Sequence, residues 1–372
     1  MDGSAPRRYQ APPVDPSRSK IRDGVRFNDS ITFSIVTDVD APDWISHHLD
    51  AGVYPPTYMP LFQLLETILP KGGRVLDLGA HIGTFALATA ANGYEVLAVE
   101  ASPTNASVLQ ASIERNNFTN MRLVNAAVSD KLGSLEFCSY GPYGHVATPL
   151  TNFPRITVPA LPIDDLLAEQ GWDKVDFIKM DIEGSEVAGL EGLRSLLSRA
   201  DAPPILVESN GHTLDFYGLV PDSLKAKLES FGYKNYLVEG DRLSPVKVGD
   251  LQPSTVVDYL AVKQLPANLG QFRVTEAMTP EEILVRVVAS CHAPNPDDRY
   301  YIARALQTAD ASVLEDPRVK QGVQAMLTDG DDRVKSAAVR IDVAQASAPR
   351  RPWFLRWNPL RAKADKAHSA GR

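Results

Sequence analysis

The stretch Val75-Leu76-Asp77-Leu78-Gly79-Ala80-His81-Ile82-Gly83 ends an apolar run in an acid and follows it with two glycines four residues apart. Glycine has no Cβ, so Gly79 allows a ligand to approach the backbone closely. The helix that opens behind it offers free N–H groups. Dinucleotide sites use Gly-x-Gly-x-x-Gly for this purpose and hold a pyrophosphate at the helix start. Here the spacing is Gly-x-x-x-Gly, preceded by Asp77. A carboxylate repels a pyrophosphate and attracts an amine. Two glycines also suit a plain structural turn, and it is Asp77 that tips the reading toward a ligand.

An amine-bearing adenosine of this kind is S-adenosylmethionine. Glu100, 21 residues after Gly79, ends the next apolar run, where an acid accepts hydrogen bonds from ribose hydroxyls. Lys179-Met180-Asp181-Ile182-Glu183-Gly184-Ser185-Glu186 puts three acids within six residues at another strand end. Ligands of open α/β sheets bind outside such carboxyl ends, and strand alternation predicts Asp181 and Glu183 on one side. Glu186 equally suits a helix start, where it complements the dipole. Glu208 can position a substrate hydroxyl and His212 can act as a base, although a lone loop histidine is ordinary surface as readily. His47-His48 are adjacent, so both cannot face one ion from a helix. No serine nucleophile elbow and no phosphate loop is present.

The elements that must position these residues alternate. Strands are predicted at Arg74–Leu78, Glu95–Val99, Met121–Asn125, Val175–Met180 and Ile205–Glu208. Helices are predicted at Met59–Leu69, His81–Ala91, Pro103–Asn116, from Asp164 to Glu169, at Glu186–Leu197 and at Pro221–Phe231. That order means βαβ units and a parallel sheet. Tyr233–Val238 and Val256–Val262 have no helix between them and must pair antiparallel. Ser129–Pro162 is irregular, with strand candidates at Ser134–Cys138 and Ile156–Pro159, and a further strand is expected at Ile31–Val36.

Five segments are expected: a disordered arm 1–28, a cap segment 29–69, a cofactor-binding domain 70–265, a helical appendage 275–345 and a basic disordered tail 346–372. Thr279-Pro280-Glu281-Glu282 reads as a capping box with proline at the first helical position. The 372 residues carry 38 Lys and Arg against 46 Asp and Glu, a net charge of −8, which argues against a nucleic-acid partner. Residues 350–372 oppose that average, with seven Lys or Arg and one Asp. Arg350-Arg351-Pro352-Trp353-Phe354-Leu355-Arg356-Trp357 mixes cations and aromatics as membrane-surface segments do, so contact with anionic lipid or an acidic partner competes with a solvated tail. Two cysteines, Cys138 and Cys291, make neither a disulfide framework nor a zinc cluster. No apolar run reaches the length of a membrane span, and Met1–Lys20 lacks a secretory h-region. The expected location is the cytoplasm, with the tail as a possible link to the inner membrane face.

Four segments in order, Asp77 to Gly83, Val99-Glu100-Ala101-Ser102-Pro103, Asn125-Ala126-Ala127-Val128-Ser129-Asp130, and Lys179 to Glu186, give a chain that resembles the FkbM-type family of S-adenosylmethionine-dependent methyltransferases from about Pro70 to Lys263. The family usually has Asn at the place of His81. The resemblance implies an α/β fold with a Rossmann-like seven-stranded sheet, parallel with a C-terminal antiparallel hairpin, and methyl transfer to a hydroxyl of a sugar, glycan or polyketide-type product. It implies cofactor contacts from Asp77, Gly79, Ala80, His81 and Gly83 at the methionine end, Glu100 and Ala101 at the ribose, Ala126 and Ala127 near adenine, and Asp181. Asp181, Glu183 and Glu208 are the candidate catalytic residues. Asp181 or Glu183 would act as base or hold a Mg²⁺ that acidifies the hydroxyl, and the sequence leaves both open. Two other classes compete: a nicotinamide-dependent oxidoreductase, which the missing middle glycine and the closing hairpin disfavour, and a non-catalytic interaction protein built on a degenerate version of this fold.

Overall fold

Parallel pairing needs a crossover, and from Arg74 onward every apolar run but the last few is followed by one. The computed structural model describes residues 9–345 apart from 29, 40–44, 46, 47, 50–53, 55–57, 140, 150, 152, 253, 308 and 310. The expected tail 346–372 and His47 lie outside the described residues. The chain divides into one unit over residues 1–283 and a second from residue 284.

The strands of the first unit are β1 (Ser19–Arg26), β2 (Thr32–Asp38), β3 (Arg74–Leu78), β4 (Glu95–Glu100), β5 (Met121–Asn125), β6 (Ala127–Val128), β7 (Gly133–Cys138), β8 (His145–Val146), β9 (Arg155–Leu161), β10 (Phe177–Met180), β11 (Ile205–Asn210), β12 (Lys234–Glu239), β13 (Arg242–Val246), β14 (Val256–Val262) and β15 (Arg273–Val274). The main sheet has the order β15-β13-β12-β14-β11-β10-β3-β4-β5. The five strands on one side, β11-β10-β3-β4-β5, are parallel, with β5 at the edge. β14 runs antiparallel between β11 and β12. The sheet is Rossmann-like and its closing antiparallel pair is present, but it holds nine strands rather than the expected seven. β13 escapes a sequence reading because Pro245 breaks its pattern. A strand near a sheet edge tolerates proline, and only the two-residue β15 lies beyond it.

The irregular stretch becomes a separate sheet, β6-β9-β7-β8. Helices α1 (Tyr58–Ile68), α2 (Thr84–Ala91), α3 (Pro103–Arg115), α4 (Ile163–Gln170), α5 (Glu186–Glu191), α6 (Arg194–Leu197), α7 (Gly211–Phe216) and α8 (Pro221–Ser230) fill the connections. The helix expected from His81 starts at Thr84 because His81 and Gly83 have φ of +52° and +89°, which a right-handed helix excludes. The helix expected over Glu186–Leu197 breaks at Gly192, where a Cβ would lie 2.2 Å from the Ser129 carbonyl oxygen.

The expected disordered arm is corrected for its described part. Pro16–Arg18 form a 3-10 turn and β1 pairs antiparallel with β2. Val25 and Phe27 are buried with Phe33, Tyr54 and Phe62, and it is this apolar anchoring that the proline-rich composition of the first residues obscures. The hairpin is tied to α3 by the Ser34 and Val36 amides, which donate to Asn116 Oδ1 (2.7 Å) and Ser112 Oγ (2.8 Å).

Strand parity sorts the main sheet into two faces. Val75, Val96, Ala98, Phe177, Leu206 and Leu260 lie in one core. Leu76, Leu78, Leu97, Val99, Ile178, Met180, Val207 and Tyr259 lie in the other. Asp77, Lys179, Glu208 and Asp258 share the parity of the first set, so four charged side chains project from one face toward the carboxyl edge.

In the second unit, α10 (Pro296–Leu306), α11 (Ala311–Leu314), α12 (Pro317–Met326) and α13 (Asp332–Gln345) follow α9 (Pro280–Cys291). Their inward faces bury Ile302, Leu306, Val319, Met326, Val334, Ala338 and Ile341. Asn295 and Asp316 cap α10 and α12. The capping box read at Thr279 is formed: the Glu282 amide donates to Thr279 Oγ1 and the Thr279 amide to Glu282 Oε2.

Candidate functional site

Strand order reverses at β3, which lies between β4 and β10, and the chain leaves β3 and β10 toward the same edge. A crevice at such a switch point is where open α/β sheets bind ligands. A cavity of about 210 Å³ opens there. Gly79, Ala80, His81, Glu100, Ala101, Ala126, Ala127, Asp181, Glu183 and Glu208 all line it.

Asp77 and Gly83, expected among them, do not line it. Asp77 is fully buried. The register sets it opposite Lys179 on β10, and the Lys179 ammonium lies 3.5 Å from Asp77 Oδ1. Burial pushes the Asp77 carboxyl up from its ordinary range and the Lys179 charge pulls it back. Asp77 therefore acts on the cavity through Lys179. Protein packing by itself demands both glycines. A Cβ on Gly79, φ +82°, would fall 1.8 Å from the Asp181 carbonyl oxygen. One on Gly83 would fall 2.2 Å from Leu109 Cδ1 on α3.

Glu100 is 6% exposed and held from two sides. The His81 amide donates to its Oε2 at 2.8 Å and the Ser102 amide to its Oε1 at 2.8 Å. Asn105 Nδ2 approaches Oε1 at 3.4 Å. Burial raises the Glu100 carboxyl, and these donors oppose the rise. His81, φ +52°, explains the asparagine usual in the family: Asn and His are among the few residues that enter the left-handed region readily.

At the other end, β10 stops at Met180 and residues 181–185 form the turn before α5. Alternation therefore does not place Glu183. Its φ of +50° does, a conformation costing roughly 1–3 kcal/mol outside glycine. One oxygen each from Asp181, Glu183 and Glu208 nevertheless lie within 4.8 Å of one another. Asn210 Nδ2 donates to Glu183 Oε2 at 3.3 Å. Burial, then the Asp181 and Glu186 charges, push Glu183 well above the usual carboxylate range. Burial, then Asp181 and Glu183, do the same to Glu208.

Three further residues shape this end. Lys179 stands in the quoted motif without a role, although a lone charge inside Phe177-Ile178-Lys179-Met180 is itself a signal, since a buried strand keeps an ion only with a partner. Its side chain is 7% exposed, with Asp181 Oδ2 at 3.4 Å and the Gly79 carbonyl oxygen at 3.4 Å. Asp258 sits opposite Glu208 in the β11–β14 register. Burial and the Asp181 charge push it up to about 7. Asn210, which steadies Glu183, also caps α7.

Two weighed residues fall outside the cavity lining. Glu186 is buried, and its Oε1 accepts from the Ile182 and Gly184 amides, both at 3.1 Å. Burial pushes it up to about 7. His212 packs edge-on against Phe216, ring centroids 4.9 Å apart. Among the described residues no helix is long and apolar enough to cross a membrane.

Residues 77–234 match the family described as Methyltransferase FkbM domain. No curated protein matches the chain. Among solved structures the chain is similar to a TehB-like SAM-dependent methyltransferase from Corynebacterium glutamicum, with 15% identity over 59% of this chain and 94% of that one, TM-score 0.33. It is similar as well to Aeropyrum pernix fibrillarin, solved with natively bound S-adenosyl-L-methionine, with 14% identity over 54% of this chain and 74% of that one, TM-score 0.32.

Proposed function

We propose, from the match of residues 77–234 to the methyltransferase FkbM domain, that this chain transfers a methyl group from S-adenosylmethionine to a hydroxyl oxygen of a sugar, glycan or polyketide-type metabolite. The observation that carries the reading is a single cavity with Glu100 and an apolar wall at one end and Asp181, Glu183 and Glu208 at the other. The residues present suit the cofactor. Ala126, Ala127 and Val128 offer an apolar surface to a purine, the Glu100 carboxylate can accept from ribose hydroxyls beyond the two amides it already serves, and the glycine bend at Gly79 gives a charged amino-acid end room to approach the backbone.

When bound, the cofactor supplies a methyl carbon made electrophilic by its sulfonium. The protein aligns and desolvates. Alignment of reacting atoms is worth roughly 7–11 kcal/mol in favourable cases. Asp181 is the proposed base for the acceptor hydroxyl, an effect of about 10²–10⁴-fold. Glu183 and Glu208, pushed toward their protonated forms, donate as well as accept, which suits a polyol.

A second reading is favoured by the 4.8 Å grouping of the three carboxylates: a Mg²⁺ held by oxygen ligands. Activity that survives exhaustive chelation removes it.

Titration calorimetry with S-adenosylhomocysteine, followed by transfer of labelled methyl to a panel of hydroxylated acceptors, tests the main reading. The expected result is binding by wild type and transfer lost in Asp181→Asn. Folded protein that binds no adenosyl ligand would reject it.

A further inference from the structure

We propose that the groove between α10 and α13 is a phosphate-binding site, built around Arg304, Arg333 and Arg340. Every residue in it belongs to the second unit, so the inference does not rest on the methyltransferase reading. A cavity of about 340 Å³ opens there, lined by Tyr300 and Arg304 from α10 and by Arg333, Ser336 and Arg340 from α13. A spacing of four on α10, and of three then four on α13, puts each set on one helix face. The two helices are tied beside it, where Gln307 Nε2 donates to the Ala337 carbonyl oxygen at 2.9 Å. Residues 284–345 hold eight Lys or Arg against nine Asp or Glu, so three arginines on one cavity are a local concentration and not a basic composition.

The arginines are oriented without being used up. On Arg333, Nη2 donates to Asp331 Oδ2 at 2.7 Å and to Asp297 Oδ1 at 2.9 Å, and Nε donates to Asp331 Oδ1 at 3.2 Å. These bonds hold one edge of the guanidinium and leave the N–H groups of Nη1 to a ligand. Its cation stands 5.7 Å from the Tyr300 ring centroid, which fixes the plane further. Arg304 Nη1 donates to Gln307 Oε1 at 3.3 Å. Arg340 is exposed and makes no hydrogen bond or ion pair among the described residues. Asp332 also lines the cavity, and Lys335 meets its carboxylate at 2.6 Å. A carboxylate ligand brings one charge and two oxygens, enough for one guanidinium fork. A phosphate ester brings about −1.5 to −2 charge at neutral pH and three acceptor oxygens, which arginine binds through paired N–H donors. Three guanidiniums and the Ser336 hydroxyl suit the phosphate.

The probe is inorganic phosphate, titrated into the full chain by calorimetry with acetate as the comparator. The expected result is saturable phosphate binding, weakened by about tenfold in Arg340→Gln and abolished in Ser336→Asp, which sets a carboxylate three residues from Arg333 and four from Arg340. Both positions are exposed, so the thermal melt should stay where it is in each variant. A titration that does not saturate, an affinity equal in wild type and both variants, or acetate bound as tightly as phosphate overturns the proposal. Vesicles of phosphatidylcholine containing phosphatidic acid then separate two sources of the same group. Co-sedimentation lost in Arg340→Gln identifies a lipid headgroup, and phosphate binding without that loss identifies a soluble phosphate ester.

Discussion

Burial raises the acids at both ends of the cavity, but the neighbours that meet them differ. At the β3–β4 end each carboxylate has assigned partners: Glu100 accepts from the His81 and Ser102 amides, and Asp77 faces Lys179 across the register. At the β10–β11–β14 end Glu183, Glu208 and Asp258 crowd around Asp181, each pushed up by burial and by its neighbours' charge. The first arrangement fixes geometry and suits binding. The second stores an unpaid proton demand and suits chemistry that moves protons.

The harshest test strikes both ends together. Gly79→Val puts a branched side chain at φ +82° with its Cβ 1.8 Å from the Asp181 carbonyl oxygen. We expect a loss of about 4 kcal/mol or more and a collapse of the thermal melt; a melting temperature within about 2 °C of wild type would mean the two strand ends are not in contact.

Glu186 sharpens the proton side of the comparison. It is 2% exposed and pushed up to about 7, so the folded protein holds this proton more tightly than the unfolded chain does. Its contribution is complete below the ordinary range near 4.5 and is lost as pH rises through about 7, by up to about 3 kcal/mol. Glu186→Gln keeps an acceptor for the Ile182 and Gly184 amides and carries no charge. Its denaturant midpoint should match wild type at pH 4.5 and exceed it at pH 8. Equal midpoints at both would show that Glu186 is not the titrating group.

The binding side responds to Glu100→Gln, which turns a carboxylate oxygen between two amide donors into an NH₂ group. Affinity for S-adenosylhomocysteine and for methylthioadenosine should fall together, by about 1–3 kcal/mol. A loss confined to one ligand places Glu100 elsewhere than beside the ribose. Smallest of all is Glu95→Gln, at the amino end of β4, where the Arg74 pair is largely exposed. A change below about 1 kcal/mol in stability and none in binding is expected, and a larger one would deny that function is confined to the carboxyl edge.

Much of this was readable from residue order. Alternating apolar runs and capped helices announce the parallel sheet, and the strand-end acids Glu100, Asp181 and Glu208 fall at the cavity as expected. What escaped reading depended on register. Asp77 looks like a ligand contact until β10 is set beside β3 and Lys179 arrives opposite it. Asp258 is one acid among many until β14 is placed against β11. The two glycines read as room for a ligand, and only the packed structure shows that the Asp181 carbonyl and Leu109 also require them. Local pattern tells which face a side chain takes; it does not tell which strand lies next to it.

β14 has one more consequence, for the order in which the molecule is made. It is synthesised after β11 and β12 yet lies between them, carrying Asp258 to Glu208. A nascent chain that has not yet released Val262 from the ribosome has nothing to set between β11 and β12, and both present open backbone edges. This wall of the cavity is thus closed by a late, long-range insertion, the kind of step that folds slowly and that chaperones shelter.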